Sequence, residues 1–348
     1  MNSVNVGIEL KAGTLAHFNQ IYTGFRLLER RKLINLSYKI VTDDELPLNI
    51  LKVNINDKKV YFDMTDHSRI NQKIYDLSDY YFKRTLLKTD VSKLSKVKPL
   101  GFNYSVYTGN YKLAQVALLN GHFDLFAKYL VRYSGFLSKI LNANDSIYTS
   151  NYKHLERKPL NQEDGKIIFF TRLWDPDNTT NTLKKDERVI LNQERITLIN
   201  ILRKEFKEHF IGGLYDDEVS KKYAPELIVD KALVQKKSYL ANLKQSSIGI
   251  ANVGLEGSIG WKFAEYVTHS MAIVSNPIAQ YIVQGDFESG KNYLSYTDVD
   301  TCVNQVTKLM EDTALRHEMM QNNYAYYQQY MQPEMMFKNI LNVVLERS

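Results

Sequence analysis

Lys262 and Glu265 stand three residues apart, just after three glycines, Gly254, Gly257 and Gly260. The residues Trp261-Lys262-Phe263-Ala264-Glu265-Tyr266 carry apolar positions at helical spacing and predict a helix. Lys262 falls in its first turn, where a cation opposes the helix dipole, so helix stability alone does not favour it. An anion in front of the loop does. Glycines let the backbone come close to a bound group, and a helix start offers unpaired N–H groups. A diphosphate there would account for the lysine. Glu265, one turn on and on the same face, has the two oxygens that would accept both hydroxyls of a ribose. A Gly-rich turn carrying two solvated charges accounts for the same residues, and spacing does not choose between the two readings.

Such a loop needs strands on either side. Ile248 to Val253 is short, apolar and β-branched, and Met271 to Val274 is a second apolar run that ends at Ser275-Asn276-Pro277. Together they predict strand, loop, helix, strand, the βαβ unit of a parallel sheet. Near the start, Val4 to Leu10 predicts a strand and Leu15 to Arg31 a helix, with Leu15, Phe18, Ile21, Tyr22, Phe25 and Leu28 on one face. Gly13 and Thr14 thus sit at another strand-to-helix junction, the edge where α/β sheets bind ligands. Leu36 to Val41 is the next strand. Val60 to Phe62 leads into a strand end crowded with Asp63, Asp66 and His67, and Asp79 to Arg84 is a short strand ending in two cations. Leu113 to Leu141 reads as helix broken at Gly121 and Gly135. Tyr148 to Gly165 is polar and aperiodic and is taken as the linker. The alternation then restarts with a strand at Lys166 to Phe170, Thr171 and Arg172 at its exit, and a helix from Glu187 to Phe210. A strand from Phe210, a helix from Lys231 to Leu243 and, after the βαβ unit, helices at Val299 to Met310, Thr313 to Tyr330 and Pro333 to Glu346 complete the pattern. Alternation on both sides of a linker predicts two α/β, Rossmann-like parallel-sheet domains, residues 1–155 and 156–330, facing a central cleft.

Composition agrees. A chain of 348 residues is too long for one typical core and suits two domains. Its 44% hydrophobic and 24% charged residues are those of a soluble globular protein. No apolar run reaches the ~18 residues that span a bilayer, and the start lacks a signal-peptide layout. The single cysteine, Cys302, excludes an internal disulfide and a cysteine-based zinc site, and the cytoplasm is the expected compartment. A formal net charge of +6 suits anionic nucleotides or an acidic membrane surface, while dispersed lysines and the lack of a recognition motif speak against nucleic acid.

The segment from Gly254 to Pro277 resembles the donor-site segment of GT-B glycosyltransferases. The motifs YFDMTDH, DYYFKRTL, KPLGFNY, YAPELIV, GSIGWKFAEY and GKNYLSY are similar, in that order, to landmarks of bacterial GT-B enzymes that build capsule, lipopolysaccharide or related surface glycans. The resemblance covers most of the chain and is specific for fold and reaction class but not for the sugar. It implies a GT-B fold in which the C-terminal domain binds a nucleotide-sugar and the N-terminal domain binds a glycan or lipid-linked glycan acceptor. Residues 331–348 would form a helix that bends at Pro333 and crosses back to the N-terminal domain. Donor contacts would come from Thr171, Arg172, Gly257, Ser258, Ile259, Gly260, Trp261, Lys262 and Glu265. Arg172 and Lys262 would neutralise the leaving nucleoside diphosphate from two loops. A surface arginine paired with Asp175 or Asp177 is the plainer alternative for Arg172. Gly13, Thr14, Asp63 and Asp66 would face the acceptor. Peripheral contact with the inner face of the cytoplasmic membrane fits a lipid-linked acceptor.

An inverting transferase needs a base for the acceptor hydroxyl. Asp66 and His17 are the candidates, against an N-cap or structural role for Asp66 and packing against the first loop for His17. No cofactor and no metal are expected. Two DxD triplets occur, Asp175-Pro176-Asp177 in a polar loop and Asp298-Val299-Asp300 before a helix, where an acid serves as N-cap. The histidines lack metal-binding spacing. Two rival readings keep the fold: a nucleotide-sugar epimerase, and a non-catalytic partner subunit, which need not retain the Lys262/Glu265 pair.

Overall fold

A computed structural model describes residues 4–11, 15–41, 46–160 and 165–346. The chain forms two compact α/β units, one of residues 1–156, 280–286 and 327–348, the other of residues 157–279 and 287–326. Each is built on a sheet whose pairings are parallel, apart from one strand of the first unit.

In the first unit the strands are β1 (Val4–Leu10), β2 (Ile34–Ile40), β3 (Ile50–Ile55), β4 (Lys58–Asp63), β5 (Tyr80–Lys83) and β6 (Val97–Pro99), in the order β2-β1-β3-β4-β5-β6. β3, like β6, is a strand that the sequence reading passed over. It pairs antiparallel with both β1 and β4. The two-residue connection Asn56-Asp57 explains this. Asn56 takes a left-handed φ of 51°, and its side chain accepts from Asn5 N at 2.9 Å, which closes a tight hairpin where a parallel crossover would need a dozen residues. The helix Leu15–Arg30 turns Phe18, Ile21, Tyr22, Phe25 and Leu28 into the core beside this sheet. The last helix, Pro333–Val344, adds Met336, Phe337, Ile340, Leu341 and Val344 to the same core. Its Phe337 ring lies on Gly24, where a Cβ would come within 2.1 Å of it. The absence of a side chain at Gly24 lets the two helices approach, at the cost of about 1 kcal/mol in helix propensity.

The second unit holds β7 (Ile167–Thr171), β8 (Phe210–Leu214), β9 (Ile248–Ala251), β10 (Ala272–Ser275) and β11 (Leu294–Ser295), ordered β11-β10-β9-β7-β8 with every pairing parallel. β7, β9 and β10 are buried along their whole length, which is why they read as continuous apolar runs. The expected strand, loop, helix, strand unit is present, its helix spanning Trp261–Thr268. The long helix starts earlier than read, at Thr182, because Asn181 caps it through Lys184 N, and it ends at Phe206. Residues 231–245 form two helices, Lys231–Val234 and Lys236–Gln245, since Gln235 leaves the helical region with a ψ of 139°. The chain leaves β7 towards β8 on one side and returns as β9 on the other. The carboxyl ends of β7 and β9 therefore flank a topological switch point, where parallel sheets leave a crevice for ligands.

Candidate functional site

Arg172, at the exit of β7, and Lys262, in the first turn of the helix Trp261–Thr268, meet on one aromatic ring. Lys262 Nζ donates to the Tyr215 hydroxyl at 2.8 Å and lies 5.2 Å from the Tyr215 ring centroid and 4.3 Å from that of Tyr239. The Arg172 guanidinium lies 5.8 Å from the Tyr215 centroid. Two cations thus share one ring through cation–π contacts. Among the described residues Arg172 makes no ion pair. Asp177 pairs with Lys185 and Lys222, and Asp175 with Lys222.

Glu265 sits just behind Lys262 and is 8% exposed. One oxygen accepts from Lys236 Nζ at 2.6 Å and the other from the Tyr239 hydroxyl at 2.8 Å. Burial alone would raise its pKa. The Lys236 and Lys262 charges and the two hydrogen bonds outweigh burial and hold the carboxyl at about 2. Each oxygen of the sequence-predicted ribose acceptor is therefore already engaged by the chain itself. Two of the roughly four lone-pair sites of an ionised carboxylate are taken in this way.

The loop between β9 and the helix is fixed from several sides. Gly254 N donates to Ser258 O at 2.8 Å, and a Cβ on Gly254 would meet the Ser258 hydroxyl at 2.6 Å. Of the three glycines only Gly257 takes a left-handed φ, 68°, and it shares that conformation with Glu256 at 57°. The Glu187 carboxylate holds that turn by accepting from Glu256 N at 2.6 Å. Ser258 is buried, while Ile259, Gly260 and Trp261 are half-buried. No side chain caps the helix at Gly260, so its first N–H groups are left without the usual internal acceptor. Thr171 is buried, and its carbonyl accepts from Tyr215 N at 3.1 Å, which places Tyr215 beside the β7 exit.

Arg195 ties this edge together. It is 4% exposed and donates to Arg172 O at 2.7 Å and to Val253 O at 3.1 Å, joining the loops that follow β7 and β9. Burial lowers its pKa to about 10, so the guanidinium stays charged at neutral pH. Asn276 accepts from Val253 N at 3.0 Å and donates to Glu194 at 3.2 Å, which brings in the loop after β10. The sequence reading missed Tyr215, Lys236, Tyr239 and Arg195. A signal for Arg195 existed: with Leu191, Leu198, Ile199 and Leu202 it follows the apolar stripe of its helix.

In the first unit, Asp63 ends β4 fully buried. It accepts from Thr65 N at 2.9 Å and from the Tyr81 hydroxyl, and it pairs with the buried Lys83 at 3.2 Å. Its oxygens thus hold the strand end together. Asp66 is exposed and pairs with the buried Arg84. It caps no helix, because Asn71 takes that place for Gln72–Leu77. His17 feels Arg84, Asp66 and Asp145. Burial first, then Arg84, lowers its pKa against the two carboxylates, so the imidazole is neutral at pH 7. Gly13 and Thr14 lie outside the described residues. Asp298 caps the helix Val299–Glu311 in a capping box with Thr301, and Asp175 and Asp177 are taken up by lysines as above. Among the described residues no three His, Cys, Asp or Glu side chains are grouped to hold a metal ion.

No protein-family model matches the sequence, and no curated protein matches it. Among solved structures the chain is similar to sucrose-phosphate synthase from Thermosynechococcus elongatus, at 11% identity and a TM-score of 0.40 over 98% of this chain and 100% of that one. It is similar to HepE from Anabaena in complex with UDP-glucose, at 11% identity and a TM-score of 0.35 over 98% and 100%. The C-terminal domain of the glycosyl transferase group 1 family protein LpcC from Francisella tularensis matches at 13% identity and a TM-score of 0.32, covering 50% of this chain and 95% of that domain.

Proposed function

We propose that the chain is a metal-independent glycosyltransferase of GT-B type. It moves a sugar from a nucleotide-sugar to a hydroxyl of a glycan or lipid-linked glycan in surface polysaccharide synthesis. The observation that carries this reading is the pair Arg172 and Lys262, gathered on Tyr215 at the switch-point edge beside an uncapped helix start. Two cations and a helix N-terminus suit a diphosphate, and cations fixed there stabilise the charge that grows as the bond from sugar to diphosphate breaks. Glu265 keeps lone pairs for the ribose hydroxyls while it holds Lys236 and Tyr239. The anomeric carbon exchanges its bond to the diphosphate oxygen for one to the acceptor oxygen, and the nucleoside diphosphate leaves. In an inverting transfer His17, kept neutral by burial and by Arg84, takes the acceptor proton. Asp66 suits that task less well, because its carboxylate is paired with Arg84.

The test is the melting temperature of the full chain with a panel of UDP-, GDP- and dTDP-sugars in EDTA, since a ligand stabilises the state it binds. One donor class should raise it, and an acceptor extract should then release nucleoside diphosphate. Stabilisation by no donor would refute the reading. Stabilisation only when manganese or magnesium is supplied would refute metal independence.

A further inference from the structure

Seven of the sixteen large apolar side chains that stand exposed among the described residues lie between 111 and 141: Tyr111, Leu118, Leu119, Phe123, Phe136, Ile140 and Leu141. That stretch is three consecutive helices of the first unit, Tyr111–Leu119, Phe123–Tyr133 and Gly135–Ile140. The middle helix packs against both neighbours. Each turns one face inward through Leu113, Ala114 and Ala117, through Leu125, Tyr129 and Tyr133, and through Ser138. The outward residues fall at helical spacing as well, Tyr111 with Leu118 and Phe136 with Ile140. Outward positions of a surface helix are ordinarily polar, and these are not. Leu119, Phe123 and Phe136 are 77%, 68% and 73% exposed, so they project from the surface at a turn and at helix starts.

We propose that this face is a monotopic membrane contact that seats the chain on a bilayer containing anionic lipid. Charge favours the bilayer over a protein partner. Lys128 and Lys139 are exposed among the apolar residues, and Asp124 is the one acid in the stretch. The other cations there, Lys112 and Arg132, are held by Glu29 and Asp145. Lysines are depleted in the cores of protein interfaces, but at a bilayer their stems lie along the acyl boundary while the ammonium reaches the headgroups. Separate projecting Leu, Phe and Ile side chains likewise suit a soft boundary that closes around each of them. The proposal goes beyond the transferase reading and stands without it. Taken together with the transferase reading, it has the acceptor reach the chain from a lipid surface.

The experiment is flotation of the full chain with vesicles of phosphatidylcholine alone and with 30% phosphatidylglycerol. The chain should float with the anionic vesicles and poorly with the neutral ones. Leu119→Ser, Phe123→Ser, Phe136→Ser and Ile140→Ser combined should cut the partition more than tenfold with an unchanged melting temperature, since none of these side chains is buried. Lys128→Gln and Lys139→Gln should each cost about fivefold on anionic vesicles. No flotation, or flotation indifferent to the four serines, overturns the proposal. A concentration-dependent dimer lost in the serine variant also overturns it, by assigning the face to a second copy of the chain. Failure of every nucleotide-sugar to bind would leave these results untouched.

Discussion

Glu265→Gln offers a direct test of the site's electrostatics. Glutamine keeps the shape of the side chain and one acceptor for Tyr239, so the change removes the charge and the hydrogen bond from Lys236. The carboxyl is held at about 2, against an ordinary 4.5. At roughly 1.4 kcal/mol for each pH unit between these values, the ionised group contributes about 3 kcal/mol, in the range found for breaking a buried ion pair. Because the folded value is depressed, this contribution is complete above pH 4.5 and is lost as pH falls towards 2. At pH 7 the variant should be less stable by about 3 kcal/mol, and at pH 4 the gap should have narrowed by about 1 kcal/mol. Tryptophan fluorescence during urea unfolding is the assay. Both tryptophans, Trp174 and Trp261, lie in the unit that holds Glu265, so the signal reports that unit alone. A gap below 1 kcal/mol at pH 7, or one that stays constant down to pH 4, would refute the account of a carboxylate stabilised by Lys236 and Lys262.

Lys262→Ala should lower kcat by about 10²–10³, the scale for one preorganised electrostatic donor, and Arg172→Ala should act in the same direction. Steady-state kinetics should give a double variant that loses less than the sum if both cations serve one diphosphate, and near-normal turnover in Lys262→Ala means that the loop has been misread. Gly24→Ala should destabilise the first unit by about 1–3 kcal/mol, the usual range for overpacking, because its Cβ would meet the Phe337 ring at 2.1 Å. An unchanged urea midpoint, followed by circular dichroism, contradicts the packing described.

The βαβ unit around Lys262 was legible because its signals are local. An all-apolar β-branched run, a glycine cluster and a helical repeat each stay within a dozen residues, and the unit stands as strand, loop, helix, strand from Ile248 to Ser275. The capping role of Asp298 was legible for the same reason, since its partner Thr301 is three residues on. β3 was not. Its alternation is clear enough in Ile50–Ile55, but its direction depends on a left-handed Asn56 and on pairing with β1, more than forty residues away in sequence.

What the sequence by itself determined is therefore the pair of α/β units, a cation at one strand exit, a second in the first turn of the helix that follows another strand, and the carboxylate one turn behind Lys262. Periodicity and glycine placement suffice for these, because backbone hydrogen bonding and the burial of one face act over short spans of chain. Only the tertiary structure decided what those charges touch. Tyr215 reaches Lys262 across 47 residues, Lys236 reaches Glu265 across 29, and Arg195 reaches Val253 across 58. Such contacts follow from the order in which parallel strands assemble, β8 beside β7 and β7 beside β9. That order brings the loops after β7, β8 and β9 to one edge, where a buried carboxylate is stable only with the lysine and tyrosine the fold delivers to it.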